Sequence, residues 1–259
     1  MSAETGFVQV SGVRLELQRI APTSALPLAP IVFLHEGLGS VSMWRDWPAE
    51  VCAATGRAGV VVSRRGYGQS EAITDVRGSG RLAADYMHRE AWNVLPALFS
   101  VLGVTRPVLL GHSDGGSIAL LHASQHEVAA CIVMAPHIVV EEISVSAITQ
   151  ARADYEHGEL RQRLAHHHAD VDSAFWQWND VWLSEAFRSF DIQADCRHIK
   201  APVLCIQGED DPYGTMRQID GIHSSGPRTL LKLAHCGHAP HRDQAAATTQ
   251  AIAAFLQET

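Results

Sequence analysis

The sequence predicts an α/β fold, a mostly parallel sheet with helices on both faces. Short apolar runs at Ile31–Leu34, Gly59–Val62, Val108–Leu110, Val128–Ala135 and Val203–Ile206 suit strands covered on both sides. Segments with apolar residues at helical spacing alternate with these runs, which is the rhythm of parallel pairing. The active face of such a sheet lies beyond the carboxyl ends of its strands.

The chain has 259 residues, 46% of them hydrophobic, and a formal net charge of −8. No Gly/Ser/Pro-rich linker divides it, so one domain with an insertion is expected. The acidic balance argues against nucleic acid or an anionic membrane as partner. No apolar run is long enough to span a bilayer. Met1–Gly6 lacks a basic segment and an apolar core, so no signal peptide is expected. The five cysteines (Cys52, Cys131, Cys196, Cys205, Cys236) form no Cys-x-x-Cys pair and suit reduced thiols of a cytoplasmic protein.

In chain order, Phe7–Val10 and Val13–Leu17 flank Ser11-Gly12 as a β-hairpin, and a Pro-rich loop runs from Pro22 to Pro30. The strand Ile31–Leu34 leads into His35-Glu36-Gly37-Leu38-Gly39-Ser40. Val41–Thr55 predicts a helix capped near Gly56. After the strand Gly59–Val62 comes a glycine-punctuated loop, then a polar stretch at Asp75–Gly80 and a helix over Asp85–Leu102. Residues 137–200 break the rhythm; they are charged, helical in pattern and rich in His and Trp. Such an insertion between strands suits a cap over the site. The division is therefore 1–136 and 201–259 for the core and 137–200 for the cap. Val203–Ile206, Tyr213–His223, Thr229–Leu233 and Gln244–Leu256 then predict strand, helix, strand and helix.

The chemistry centres on Val108-Leu109-Leu110-Gly111-His112-Ser113-Asp114-Gly115-Gly116. An apolar strand, a glycine-flanked serine and a following helix form the Gly-x-Ser-x-Gly nucleophile elbow. A serine hydroxyl needs a base, and it must stand clear of the sheet to reach a carbonyl. The helix N-terminus behind it favours developing negative charge.

On these residues the chain resembles the α/β-hydrolase superfamily over nearly its whole length. The resemblance implies an α/β-hydrolase fold with a helical cap, and a Ser-Asp-His triad in that chain order. It selects Asp211 from Gly208-Glu209-Asp210-Asp211, because the family acid commonly falls three residues after such a glycine. Asp210 and Glu209 are the competing carboxylates. The Gly237-His238 pair after the last strand matches the family histidine, with His235 and His241 as competitors. The oxyanion hole would combine the N–H of Asp114 with that of Gly37, or of Leu38 in the other register. Glu36 replaces a common glycine there; its carboxylate must turn away or pair, with Arg45, Arg64 or Arg65 as partners. Arg65–Ser70 resembles the family's Asp-x-x-Gly-x-Gly-x-Ser turn, with Ser63 where Asp is common.

The resemblance implies no metal and no organic cofactor. His166-His167-His168 reads as a solvated or cap-surface run, since adjacent helical residues cannot face one ion. The Asp114 carboxylate either faces substrate, favouring cationic esters, or turns to the helix dipole. In the cap, Phe175, Trp178 and Trp182 would share one helix face and Trp176 another. At least one of Trp176, Trp178 and Trp182 is expected to line the pocket, with His137 beside it.

The expected activity is hydrolysis of a small, aromatic carboxylic ester through an acyl-enzyme. Thioesterase, lactonase or C–C bond hydrolase chemistry would use the same machinery. A lyase, a cofactor-free oxygenase or peroxidase, and a non-catalytic binding protein are the rivals on one fold. The expected partner is a small-molecule substrate, without nucleic acid or membrane, and the chain is compatible with a homodimer.

Overall fold

The computed structural model describes residues 2–22 and 28–259, so most of the proline-rich loop expected at Pro22–Pro30 lies outside the described residues. Among the described residues the eight strands are β1 (Ser2–Val10), β2 (Val13–Ala21), β3 (Ile31–Leu34), β4 (Gly59–Val62), β5 (Val108–His112), β6 (Ala130–Met134), β7 (Val203–Gly208) and β8 (Arg228–Leu233). They form one sheet in the order β1-β2-β4-β3-β5-β6-β7-β8. The hairpin β1–β2 joins antiparallel, and β3 to β8 are parallel to their neighbours.

The central strands are buried on both faces, as their apolar runs predict. Val32 and Leu34 of β3 and Leu109 of β5 enter one core; Ile31, Phe33, Val108 and Leu110 enter the other. The outer strands differ. Most of β1 and β8 is exposed, and Arg228 and Lys232 mark the β8 edge with charge.

The helices are α1 (Trp47–Thr55), α2 (Tyr86–Arg89), α3 (Leu95–Leu102), α4 (Asp114–Gln125), α5 (Glu142–His157), α6 (Leu160–Ala165), α7 (Val171–Trp182), α8 (Gln193–Cys196), α9 (Arg217–Asp220), α10 (Pro240–Asp243) and α11 (Ala245–Gln257). The helix expected over Val41–Thr55 is split. A 3₁₀ turn covers Val41–Trp44, the chain reverses at Arg45 with φ 53°, and α1 starts afresh with Pro48 in its first turn. The helix expected over Asp85–Leu102 is continuous but widens into a π turn at Glu90–Val94. Pro96 supplies the cause: it has no N–H and its ring crowds the carbonyl one turn back.

The helix expected over Tyr213–His223 shrinks to the single turn of α9. The Tyr213 N–H is held by Asp211 at 2.8 Å and the Thr215 N–H by Glu141 at 3.0 Å, so side chains take donors a helix would have placed otherwise.

Between β6 and β7 the chain forms α5 to α8. Its two ends meet where Val139 bridges Asp191 and the Ile192 N–H donates to the Ile138 carbonyl at 2.9 Å. Asp170 caps α7 by accepting from the Ser173 N–H at 2.9 Å. Phe175, Trp178 and Trp182 are buried on one face of α7, as their spacing predicts, and Trp176 is half-buried on another.

Strand register converges the loops. Leu34 pairs with Gly111, and His112 pairs with Met134. Gly208 pairs with Leu233. The segments starting at His35, Ser113, Ala135, Glu209 and Ala234 therefore leave one end of the sheet together. The closest approach lies beneath them: a Cβ on Gly115 would stand 2.1 Å from the Leu34 carbonyl oxygen, and one on Gly111 2.1 Å from that of Gly115. Both neighbours are backbone and cannot swing aside. Gly115→Ala is therefore expected to destabilise the chain by about 1–3 kcal/mol or more, as overpacking does. Urea unfolding of the two proteins gives the difference directly, and equal midpoints would contradict this packing.

Candidate active site

Ser113 stands between β5 and α4 with φ 53° and ψ −119°, a conformation that a non-glycine residue adopts only under constraint. Its N–H is held by the Met134 carbonyl at 2.9 Å. Its Oγ makes no hydrogen bond with the described residues, and it is almost buried.

Asp211 is buried, while Asp210 and Glu209 are exposed. His238 Nδ1 lies 2.8 and 2.9 Å from the two Asp211 oxygens. The carboxylate can only accept, so Nδ1 carries the proton and Nε2 keeps its lone pair. Asp211 also accepts from Gln207 Nε2 at 2.7 Å and from the Tyr213 N–H at 2.8 Å. Burial alone would raise its pKa; the His238 hydrogen bond and charge and the Tyr213 N–H outweigh it and hold the group low. His235 is exposed, and His241 packs away from Asp211 against Trp44 and Trp47.

The loop bearing His238 is fixed from both sides. The Gly237 N–H donates to Asp243 at 2.9 Å. His112, the residue before Ser113, donates from Nε2 to the His238 carbonyl at 2.7 Å. His112 Nδ1 faces the Glu36 carboxylate at 3.4 Å. Glu36 thus pairs with a histidine and with none of the three arginines expected. Burial would raise its pKa, but His112, His241 and His35 together hold it well below the usual carboxylate range.

Arg64 has a different task. Its guanidinium donates to the His35 carbonyl at 2.5 Å and the Glu36 carbonyl at 3.2 Å, and lies 3.9 Å from Asp114. The Asp114 carboxylate accepts from Tyr86 at 2.6 Å and Trp182 Nε1 at 3.2 Å. It is therefore engaged within the protein, in the first turn of α4. Burial raises its pKa against the pull of Arg64, Tyr86 and Trp182. The backbone N–H groups of Asp114 and Gly37 meet no acceptor among the described residues, and neither does that of Leu38.

The aromatic residues of the insertion separate clearly. Trp178 lies over Gly37, where a Cβ would stand 2.2 Å from its Nε1. The Trp182 ring is 4.9 Å from that of His137, which is 5.8 Å from His238. Trp176 stands apart, with Arg77 3.8 Å and Arg152 5.5 Å from its ring. Those two arginines share Asp180 at 2.8 and 2.7 Å. Trp176 is thus part of a cluster with Arg77, Arg152 and Asp180.

Residues 31–251 match the alpha/beta hydrolase family. The chain belongs to that family. A relative from Bos taurus, protein phosphatase methylesterase 1, is 31% identical over 119 residues; the match spans 46% of this chain and only 30% of the relative. Among solved structures, a serine hydrolase involved in carbazole degradation superposes with a TM-score of 0.76 at 17% identity, covering 100% of both chains. The enol-lactonase from Burkholderia xenovorans LB400 follows with a TM-score of 0.72 at 20% identity, covering 97% of this chain and 100% of that one. At these identities the structures show a shared fold. No helix among the described residues is long and apolar enough to cross a membrane.

Sequence reasoning missed His168. It is buried and does not belong to a solvated run: its Nδ1 accepts from the Gly68 N–H at 2.9 Å and its Nε2 donates to the Leu38 carbonyl at 3.0 Å. One residue thus ties the insertion to two loops at the site, and only neutral imidazole can do so. No group of three or more potential metal ligands occurs among the described residues.

Burial lowers the pKa of His122 and His168 to about 4 and of His137 and His241 to about 3, against an ordinary 6.5. The unfolded chain binds these protons first, so their stabilisation is complete above about pH 6.5 and falls as pH drops toward 4. Urea unfolding across pH 7 to 4 is expected to show that loss, with a shallower slope in His168→Gln. A flat profile over this window would mean that these rings protonate in the folded state.

Proposed function

We propose that this chain is a serine hydrolase that cleaves a small carboxylic ester, with Ser113 as nucleophile, His238 as base and Asp211 as the group that orients it. The observation that carries this reading is the strained serine at a helix start, preceded by His112, which holds the loop carrying a histidine whose Nδ1–H is committed to a buried aspartate. Ser113 Oγ attacks the ester carbonyl as His238 Nε2 takes its proton. The tetrahedral oxyanion accepts from the free N–H groups of Gly37 and Asp114. His238 returns the proton to the departing alcohol, leaving an acyl-Ser113. Water then repeats the sequence and releases the acid. The name methylesterase on the partial relative agrees with ester chemistry.

The insertion serves as the cap in this reading. Trp178, Trp182 and His137 supply apolar and aromatic surface beside the reacting carbonyl, which favours a compact aryl ester over a long acyl chain. The committed orientation of His238 favours catalysis over a non-catalytic binding role.

Ser113→Ala is expected to lower kcat by about 10⁴–10⁶ while the fold persists. Asp211→Asn should cost far more than Asp210→Asn, because only Asp211 reaches the imidazole. Ester hydrolysis by folded Ser113→Ala at a few per cent of the starting rate would remove the assignment. Substrate preference is a separate measurement. Trp178→Ala should raise KM for phenyl acetate or methyl benzoate more than for ethyl acetate. An equal change for both, or a preference of the native enzyme for long acyl esters, would leave Trp178 as packing alone.

A further inference from the structure

A cavity of about 450 Å³ lies beside the elbow, and none of Ser113, Asp211 and His238 lines it. Its size falls within the range of small-molecule sites. The hairpin supplies Val10, Val13 and Leu15, and Leu82 and Val94 extend the apolar lining. Arg64, Tyr86 and Gln177 form its polar wall.

Gln177 is 3% exposed, and its buried Nε2 finds no hydrogen-bond partner among the described residues. The charge of the lining is uneven: Arg64, Arg65 and Arg89 face one acid, Glu90. Arg65 and Arg89 hold exposed partners, Glu71 and Asp85, each at 2.9 Å, and such pairs are weak. Burial raises the Glu90 pKa against the pull of Arg64.

We infer that this cavity is a second ligand site, taking an amphiphile with an aliphatic body and a carboxylate head. The head lies in the field of Arg64, Arg65 and Arg89, and the body lies along Val13, Leu15, Leu82 and Val94. The occupant touches the braces of the neighbouring centre. Arg64 holds the carbonyls of His35 and Glu36, just ahead of Gly37, and Tyr86 holds the carboxylate of Asp114. Occupation therefore changes the rate at which Ser113 reacts. That coupling rests on the catalytic reading above; the binding does not.

Calorimetric titration with octanoate tests the binding. One equivalent is expected to bind the native chain and Ser113→Ala alike, with octylammonium about tenfold weaker or worse, a difference of about 1.4 kcal/mol. Arg89→Gln should weaken octanoate several-fold, and Leu82→Trp, which fills the cavity, should abolish it. Val94→Phe replaces Leu82→Trp if circular dichroism shows that the latter has not folded. No saturable binding in the millimolar range, or binding untouched by the filling variants, overturns the site. Loss of octanoate binding after phosphonylation of Ser113, with the filling variants still competent, would place the acid in the catalytic pocket and overturn it equally. The rate of phosphonylation with and without octanoate reads the coupling. An unchanged rate removes the coupling and leaves the binding result standing.

Discussion

The backbone contact between β3, β5 and α4 sets the rest of the site. Gly111 and Gly115 bring main chain against main chain with no space for a Cβ. That closeness forces the turn at Ser113 into positive φ, and it starts α4 immediately afterwards. The strain is local and small beside the two apolar cores that hold the sheet and helix in place. It has a geometric return: the N–H groups of Asp114 and the His35–Gly37 segment emerge next to each other from adjacent strands.

Buried charge then fixes what the strands leave loose. Arg64 carries a full charge into a nearly dry setting, where its cost is offset by two carbonyls, the Asp114 carboxylate and the Tyr67 ring 4.8 Å away. His35 adds a neutral link, accepting the Arg64 N–H at 3.1 Å through Nε2 and donating from Nδ1 to the Glu36 carbonyl at 2.6 Å. On the other side Glu36 and His112 reach the His238 carbonyl. The segment before Gly37 and the loop bearing His238 are therefore parts of one polar network. A fully satisfied network of this kind selects one arrangement of loops where an apolar core would permit several.

The fold was legible because its strands are short and wholly apolar, and because their order along the chain alternates with helices. Glycine spacing exposed the strand–serine–helix turn at Ser113, and the interval after Gly208 implied by the family resemblance points to Asp211, which is buried against His238 while its two neighbours are exposed. What stayed hidden depends on three-dimensional partners. Nothing local distinguishes Arg64 from Arg45 or Arg65, yet only Arg64 turns inward to the carbonyls of the neighbouring strand end. His168 sits in a run of three histidines whose composition suggests a wet surface, while its two nitrogens meet backbone 100 and 130 residues away in sequence. Tyr213–His223 has helical character that the side chains of Asp211 and Glu141 override at its start.

The insertion's placement follows from the same division between apolar and polar contacts. Its apolar face would allow α7 to slide over the sheet end, since hydrophobic contact is non-directional. Four polar ties remove that freedom: His168 to Gly68 and Leu38, Ser173 Oγ to the Ile73 N–H at 2.9 Å, Asp180 to Arg77, and Trp182 to Asp114. Three of them engage segments after β3 or β4, and one engages the elbow helix. The aromatic surface over Gly37 and His137 is thus registered against the neighbouring backbone by these polar contacts. Shape over the site and charge within it meet at Trp182, whose ring packs on His137 while its Nε1 donates to the Asp114 carboxylate.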